Sequence, residues 1–246
     1  MTGEKRHYGE AVHRLLSAQK PGHGVPAYLR WVNRGLGRRL AAMGYVLGLS
    51  PNAVTILSAA VSFTGIGIIA FATPSIVMSW LAVLLLLFGY ALDSADGQLA
   101  RLLGSSSPAG EWLDHVVDAL RLPAFHLGLA IGLYRRVDAE IWTVAVAMTF
   151  ALVASTSFIG QLLAEKLGPK TVSAPGSNAR AWVSVAKQPY DVSTSFLTVL
   201  CLPWLGTFMV LYGALLIFTA LVALASLYRK YQWLASADVG FSQETS

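Results

Sequence analysis

Four aspartates stand inside sequence that is apolar enough for a membrane, and this placement constrains the chain more than any other feature. The stretch DSADGQLARLLGSSSPAGEWLDHVVD, from Asp93 to Asp118, reads as D-x2-D-G-x2-A-R-x8-G-x3-D-x3-D. Its fixed positions are Asp93, Asp96, Gly97, Ala100, Arg101, Gly110, Asp114 and Asp118. An acid at the centre of a spanning helix costs about 2.5–3.5 kcal/mol, so four left bare would sum to roughly 10–14 kcal/mol. A chain carrying all four needs something to compensate them, and a divalent cation meets that need.

The surrounding composition supports a membrane setting. Of the 246 residues 55% are hydrophobic and 13% charged, against about 25% charged in soluble domains. That length suits one compact helical bundle with little left for a second domain. A single cysteine, Cys201, excludes an intramolecular disulfide. The first 50 residues are too polar and arginine-rich for a signal-peptide core, so no cleavage is expected.

Apolar runs occupy Ala53–Thr73, Ile76–Leu92, Val116–Tyr134, Ile141–Leu163, Val192–Leu205 and Thr207–Leu227. A spanning helix needs about 20 residues, so the second and fifth must borrow from their flanks. The second is expected to continue through the motif to Arg101. The third is expected to start near Pro108, with Ser107 as its N-cap. The fold class is therefore an all-α polytopic membrane bundle of six spans, with residues 51–233 as the membrane domain. Residues 1–50 form an N-terminal segment, and 234–246 form a tail. The ends, 1–25 and 236–246, are expected to be loosely ordered.

Within the N-terminal segment, residues 27–47 carry Leu29, Val32, Leu36, Leu40, Met43 and Leu47 on one helical face. Arg30, Arg34 and Arg38 line the other. This predicts an amphipathic helix in the headgroup plane, attracted to anionic lipid. Lysine and arginine are equally asymmetric. With six spans, 15 fall in the N-terminal segment, the even-numbered connections and the tail, and only Arg135 and Arg136 fall opposite. The positive-inside rule then puts both termini and the aspartates on the cytoplasmic face.

Helical geometry accounts for the motif's spacing. On the first helix Asp93, Asp96, Gly97 and Ala100 lie within about 100°, and Arg101 extends that face by about 40°. On the second, Gly110, Asp114, Asp118 and Arg121 lie within about 80°. If the short connection lets the two helices pack antiparallel, four carboxylates converge in one cavity. Hard oxygen ligands at this density suit Mg²⁺ or Mn²⁺, with two ions expected, rather than zinc.

The complete pattern resembles the signature of the CDP-alcohol phosphotransferases, integral membrane enzymes of phospholipid biosynthesis. All eight signature positions match with correct spacing. The resemblance implies attack of an alcohol on the β-phosphate of a CDP-alcohol, with CMP leaving. It implies that Asp93, Asp96 and Asp114 are mainly metal ligands and that Asp118, also placed to bind metal, is the general base. Charge alone does not separate those roles. Gly97, Ala100 and Gly110 would keep the polar face open to a nucleotide, and Arg101 is a planar donor suited to a diphosphate oxygen. The resemblance also suggests Asn52 and Thr55 as nucleotide contacts, where Pro51 could equally be only a helix start. A homodimer is implied in the same way.

Two departures bear on substrate. Phosphatidylinositol- and phosphatidylglycerol-type relatives usually follow the last aspartate with arginine, and here Ala119 stands there. The stretch SSSPAGEWLDHVVDA looks instead like the choline and ethanolamine phosphotransferase version, with Glu111 and His115 beside the acids. His115 would help with the acceptor or make an interhelical hydrogen bond. Arg121 is a counter-ion for Asp118 or a phosphate contact. Arg180 and Lys187 are candidates for the cavity edge.

Two versions of the reaction remain. The net charge of +5 favours anionic substrates, and so CDP-diacylglycerol with a small polar alcohol or sugar-phosphate acceptor. The alternative moves a head-group phosphate from a CDP-alcohol to a lipid alcohol. A different class, an ion-coupled transporter, would also use intramembrane acids, but it gives Arg101 no task. Membrane lipid is the expected surrounding, and no nucleic-acid partner is expected.

Overall fold

Three serines set where the first long helices begin. In the computed structural model, Ser50 accepts a hydrogen bond from the Ala53 amide (3.2 Å), with Pro51 following. Ser75 does the same for Met78 (3.2 Å), and Ser107 for Gly110 (3.1 Å), with Pro108 following. Each side chain satisfies an amide that a first helical turn leaves open, and proline in that turn loses no bond. The helices so opened are α3 (Pro51–Phe71), α4 (Ile76–Leu103) and α5 (Pro108–Tyr134), preceded by α1 (Tyr8–Ser17) and α2 (Arg34–Leu47). The structure describes residues 7–17, 26–168 and 188–244, with side chains described to residue 236.

Helix α4 stops at Gly104, whose left-handed backbone (φ 63°) suits a residue without Cβ. The Ser105 amide then reaches back to the Ala100 carbonyl at 3.0 Å and the Gly104 amide to Arg101 at 3.2 Å, closing the helix end. Only residues 104–107 separate α4 from α5. The two helices nevertheless do not pack backbone to backbone, as the sequence suggested. Helix α3 packs against both, and the space left between α4 and α5 becomes the site.

After α5 come α6 (Ile141–Leu167), the short α7 (Val192–Thr198), a 3-10 turn over Val199–Cys201, and α8 (Leu205–Glu244). All the described elements are helical, and the chain is a multi-pass integral membrane bundle. Five of its helices are long and apolar enough to cross a bilayer; Val192–Cys201 is apolar but short. Val192–Cys201 stands in the place of the fifth expected span at about half its length, and the chain beyond it meets Arg136 at Leu202. Asp191 caps α7 by accepting from the Ser193 amide, and Trp204 to Leu205 starts α8, so about ten residues remain between them. At about 1.5 Å per residue they cover half of a 30 Å hydrocarbon layer. At the far end of α5, Arg136 donates to the Leu202 carbonyl (2.8 Å) and pairs with Asp138. Hydrogen bonds from that guanidinium hold the exposed Asp138 carboxyl below its ordinary pKa.

Of the N-terminal stretch expected to be loosely ordered, residues 8–17 are helical, and 1–6 and 18–25 lie outside the described residues. Tyr8–Ser17 is helical and buries Ala11 and Leu15 against Ala41, Leu99 and Leu102. A π-helical turn, Leu29–Asn33, runs directly into α2, so the expected helix over 27–47 is present. Its small residues face α4: a Cβ on Gly37 would sit 2.7 Å from Ser94 Oγ. Val32, Leu36, Met43 and Leu47 stay exposed. The helix therefore packs on the protein with one face and keeps an apolar face outward.

Candidate active site

Asp93 is brought to α5 by an arginine. Arg121 Nη2 donates to Asp93 Oδ1 at 2.5 Å and lies 3.5 Å from Asp118 Oδ1. Its side chain is only 5% exposed, and its Nε is buried without a hydrogen-bond partner. Around it, Asp93, Asp114 and Asp118 each place one carboxylate oxygen within 4.8 Å of the others. At that separation and an effective dielectric constant of 20, each pair of like charges repels by about 3–4 kcal/mol. With all three ionised, one guanidinium still leaves the cluster two negative charges in excess. Three convergent hard oxygens are the donor set a divalent cation such as Mg²⁺ or Mn²⁺ takes, so these residues fit the ion that the sequence implies.

The fourth aspartate is held differently. Asp96 is buried; its Oδ2 accepts from Thr55 Oγ1 at 2.5 Å, and its Oδ1 accepts from the Gly97 amide at 2.5 Å. It is not part of the three-carboxylate cluster. It lines a neighbouring cavity instead, together with Asp114. Thr55, expected as a nucleotide contact, serves first as the partner of this acid.

That cavity has a volume of about 380 Å³ and opens between α3, α4 and α5. Asn52, Thr55, Gly97, Ala100, Arg101 and Gly110 all line it, with Ser105, Ser106 and Ser107 at its rim. The structure thus gathers every residue that the sequence singled out for the CDP moiety. Gly110 matters sterically: a Cβ there would sit 3.2 Å from Asn52 Oδ1 and 3.3 Å from Ser107 Oγ. A larger residue would close the mouth.

Glu111 and His115 take separate paths. Glu111 pairs with Lys166 of α6 at 2.5 Å and lies 3.7 Å from His115 Nε2. His115 does not line the α3–α4–α5 cavity but a second one between α5 and α6. Lys166, counted in the sequence only as a topology charge, is a neighbour of the site; its 55-residue separation from Glu111 gave no signal. Arg180 and Lys187 fall outside the described residues.

Sequence reading also missed the polar bridge behind Asp93. Tyr90 donates to Asp191 at 3.3 Å, and its carbonyl accepts from Asn33 at 3.2 Å. Gln188 accepts from the Tyr28 amide at 2.7 Å. These bonds join α4, the start of α2 and the approach to α7, three segments far apart in sequence.

A family model described as CDP-alcohol phosphatidyltransferase matches residues 48–227. The chain belongs to the CDP-alcohol phosphatidyltransferase family. The match begins just before α3 and ends inside α8, so it covers the four motif aspartates and both cavities. An uncharacterized CDP-alcohol phosphatidyltransferase class-I family protein 2 of Dictyostelium discoideum is 46% identical over 55 residues. That alignment takes in 22% of this chain and 13% of the relative's length. Family membership makes this a membrane transferase domain and supports phosphotransfer from a CDP-alcohol in lipid synthesis.

Proposed function

We propose that the protein catalyses metal-dependent transfer of a substituted phosphate from a CDP-alcohol to an alcohol oxygen. The observation that carries this reading is the convergence of Asp93, Asp114 and Asp118 beside a cavity lined by Asn52, Gly97, Arg101 and Gly110. Asp93, Asp114 and Asp118 would hold the metal, with Asp96 at the cavity wall as a further ligand and a second ion as the expected complement. When bound, the metal supplies charge neutralisation for the diphosphate and for the leaving oxygen.

The remaining work falls to the chain's own side chains. Arg101 donates to a diphosphate oxygen, and the small faces of Gly97, Ala100 and Gly110 admit the nucleotide. The acceptor oxygen bonds to the β-phosphorus while the bond from that phosphorus to the bridging oxygen breaks. CMP departs with the bridging oxygen and its electron pair, and the acceptor's proton passes to Asp118. Arg121 orients Asp118 and Asp93.

The cytoplasmic placement of this site and of both termini, with a homodimeric assembly, belongs to the same proposal, supported by the charge asymmetry and the resemblance respectively. CDP-diacylglycerol with a small polar acceptor accords with the +5 net charge. The second version, a lipid alcohol as acceptor, is favoured by one observation: His115 opens onto a cavity on the far side of α5 from the nucleotide side. An ion-coupled transporter gains no support from membership in a transferase family. The deciding assay is CMP release by the purified protein, supplied in turn with CDP-diacylglycerol plus small alcohols and with CDP-alcohols plus diacylglycerol. Absence of CMP under every pairing, with Mg²⁺ or Mn²⁺ present, overturns the reading.

A further inference from the structure

Helix α4 supplies a single carboxylate to the metal cluster, Asp93, while Asp114 and Asp118 come from α5. The place of Asp93 therefore depends on how far α4 is rolled about its own axis. A side-chain carboxylate stands about 5–6 Å from that axis, so a roll of about 20° carries it about 2 Å. Metal ligands hold their distances to within about 0.2 Å. A roll of this size would take Asp93 out of the cluster.

Two sets of hydrogen bonds oppose such a roll, one on each side of Asp93. At 100° per residue, Gly89 and Asp96 lie about 40° and 60° to one side of it. Both are tied to α3: Ser58 Oγ donates to the Gly89 carbonyl at 2.8 Å, and Thr55 Oγ1 donates to Asp96 at 2.5 Å. Tyr90 lies about 60° to the other side. Its hydroxyl donates to Asp191 Oδ2 at 3.3 Å, and its carbonyl accepts from Asn33 Nδ2 at 3.2 Å. Tyr28 stacks on the Tyr90 ring with centroids 6.4 Å apart, and Phe196 meets it edge-on.

The far end of the Tyr90 bond is itself held. Asp191 is only 5% exposed. Its Oδ1 accepts from the Ser193 amide at 2.9 Å and from the Ser193 hydroxyl, which caps α7. Tyr190, beside it, accepts from Gln161 of α6 at 2.7 Å and also bonds Ser157. Gln188 accepts from the Tyr28 amide at 2.7 Å and donates to Thr194 Oγ1 at 3.1 Å. Asp191 is thus fixed to α6, to α7 and to the N-terminal segment, and its second oxygen passes that restraint to α4.

Capping alone does not call for an aspartate here. Serine or asparagine caps a helix about as well, and a buried carboxylate without a cation is costly to keep. The hydrogen bonds to Asp191 among the described residues all come from neutral donors. What the second carboxylate oxygen adds is the tie to Tyr90.

We propose that Asp191 is a positioning residue, which acts through Tyr90 to fix the roll of α4 and so the place of Asp93 in the metal cluster. This inference rests on the metal-dependent reaction proposed above. Asp191 lies 98 residues beyond Asp93 in the chain and is not one of the clustered acids. Its part is to hold a ligand, not to be one.

Mn²⁺ affinity tests this, measured on the full-length protein in lipid nanodiscs from the electron paramagnetic resonance signal of the free ion. Tyr90→Phe removes one oxygen. Asp191→Ser keeps a cap for α7 but is too short to reach Tyr90. Each should weaken Mn²⁺ binding about tenfold, the lower end of the range for groups that orient metal ligands. Asp191→Asn, whose amide donates to the tyrosine oxygen instead, should keep most of the affinity. In an Asp93→Asn background, Tyr90→Phe should add less than about a twofold loss, because the carboxylate it positions is gone. The full loss in that background would mean that Tyr90 acts by another route, and would overturn the inference. Unchanged affinity in Tyr90→Phe and Asp191→Ser overturns it too, while leaving the proposed reaction standing. If Asp191→Ser does not fold, Tyr90→Phe decides alone. If the unaltered protein takes up no Mn²⁺, the metal reading and this inference fall together.

Discussion

Arg121 donates to Asp93 at 2.5 Å across 28 residues, yet lies 3.5 Å from Asp118, its neighbour one turn away on the same helix. The stronger contact is thus the one between helices. It makes the arginine a resident cation for acids contributed by two separate segments, and it gives α4 and α5 a fixed register without backbone packing. Removing it should leave the clustered acids uncompensated until a metal arrives.

Arg121→Met should therefore destabilise the protein by about 3 kcal/mol in chelator, the scale for breaking a buried pair from one side. Excess Mn²⁺ should return most of that loss, because the ion supplies the missing charge. Unfolding midpoints in detergent, with EDTA and with Mn²⁺, make the comparison. An equal loss under both conditions would show that the arginine acts only through packing.

Removing metal from the unaltered protein should abolish CMP release. Three carboxylates within 4.8 Å leave a diphosphate no cation of comparable charge once the ion is gone. Dialysis against EDTA followed by titration with Mg²⁺ or Mn²⁺ should restore turnover. Full activity in excess EDTA rules the metal reading out.

The CDP-side cavity can be narrowed at a single atom. Gly110→Val adds a Cβ about 3.2 Å from Asn52 Oδ1, and its methyls extend further into the mouth. Binding of CDP should weaken at least tenfold, and Asn52→Ala in the same chain should recover part of it. Calorimetry in the presence of Mn²⁺ reports both effects. Unchanged affinity in Gly110→Val would mean that the nucleotide enters elsewhere.

Much of this site was legible before any coordinates, and the reason is periodicity. Residues that must share a helical face recur at three and four positions, so Gly97, Ala100 and Arg101 could be grouped from spacing alone, as could Gly110, Asp114 and Asp118. Caps were equally local: Ser50 with Pro51 and Ser107 with Pro108 announce a helix start within two letters. Contacts between helices leave no such trace. Nothing in the sequence pairs Thr55 with Asp96, Lys166 with Glu111, or Gln161 with Tyr190. The shortness of α7 was hidden for a related reason. Val192–Leu205 has spanning-grade hydrophobicity, but its apolar side chains, Phe196 and Val199 among them, are buried in the bundle core with Phe125 and Phe208. Hydropathy does not distinguish protein from lipid as the apolar neighbour.

Topology is open to direct labelling. In a Cys201→Ser background, a cysteine at fully exposed Val137 should react from the side opposite to one at Lys166. Under the proposed topology, Lys166 is the cytoplasmic one of the two. Reaction of both positions from the same side would contradict that arrangement.

Asp93 and Asp118 should separate under the same conservative change. Asp93 is the more enclosed, with its side chain 16% exposed against 29% for Asp118, and it contributes one of the three clustered oxygens from α4. Asp93→Asn should weaken metal and CDP binding together. Asp118 also contributes an oxygen to the cluster, but from α5, one turn beyond Asp114. As the group that receives the acceptor's proton, it should contribute about 10²–10⁴-fold to turnover. Asp118→Asn should lose about that factor and keep most of its CDP affinity, and Arg121 should still hold Asp93. Parallel measurement of Mn²⁺-dependent CDP binding and single-turnover CMP release decides the matter. If Asp118→Asn loses CDP affinity as severely as Asp93→Asn, Asp118 is chiefly a ligand. The proton must then pass to another group on α5, and the Glu111–His115 pair, 3.7 Å apart, is the place to look for it.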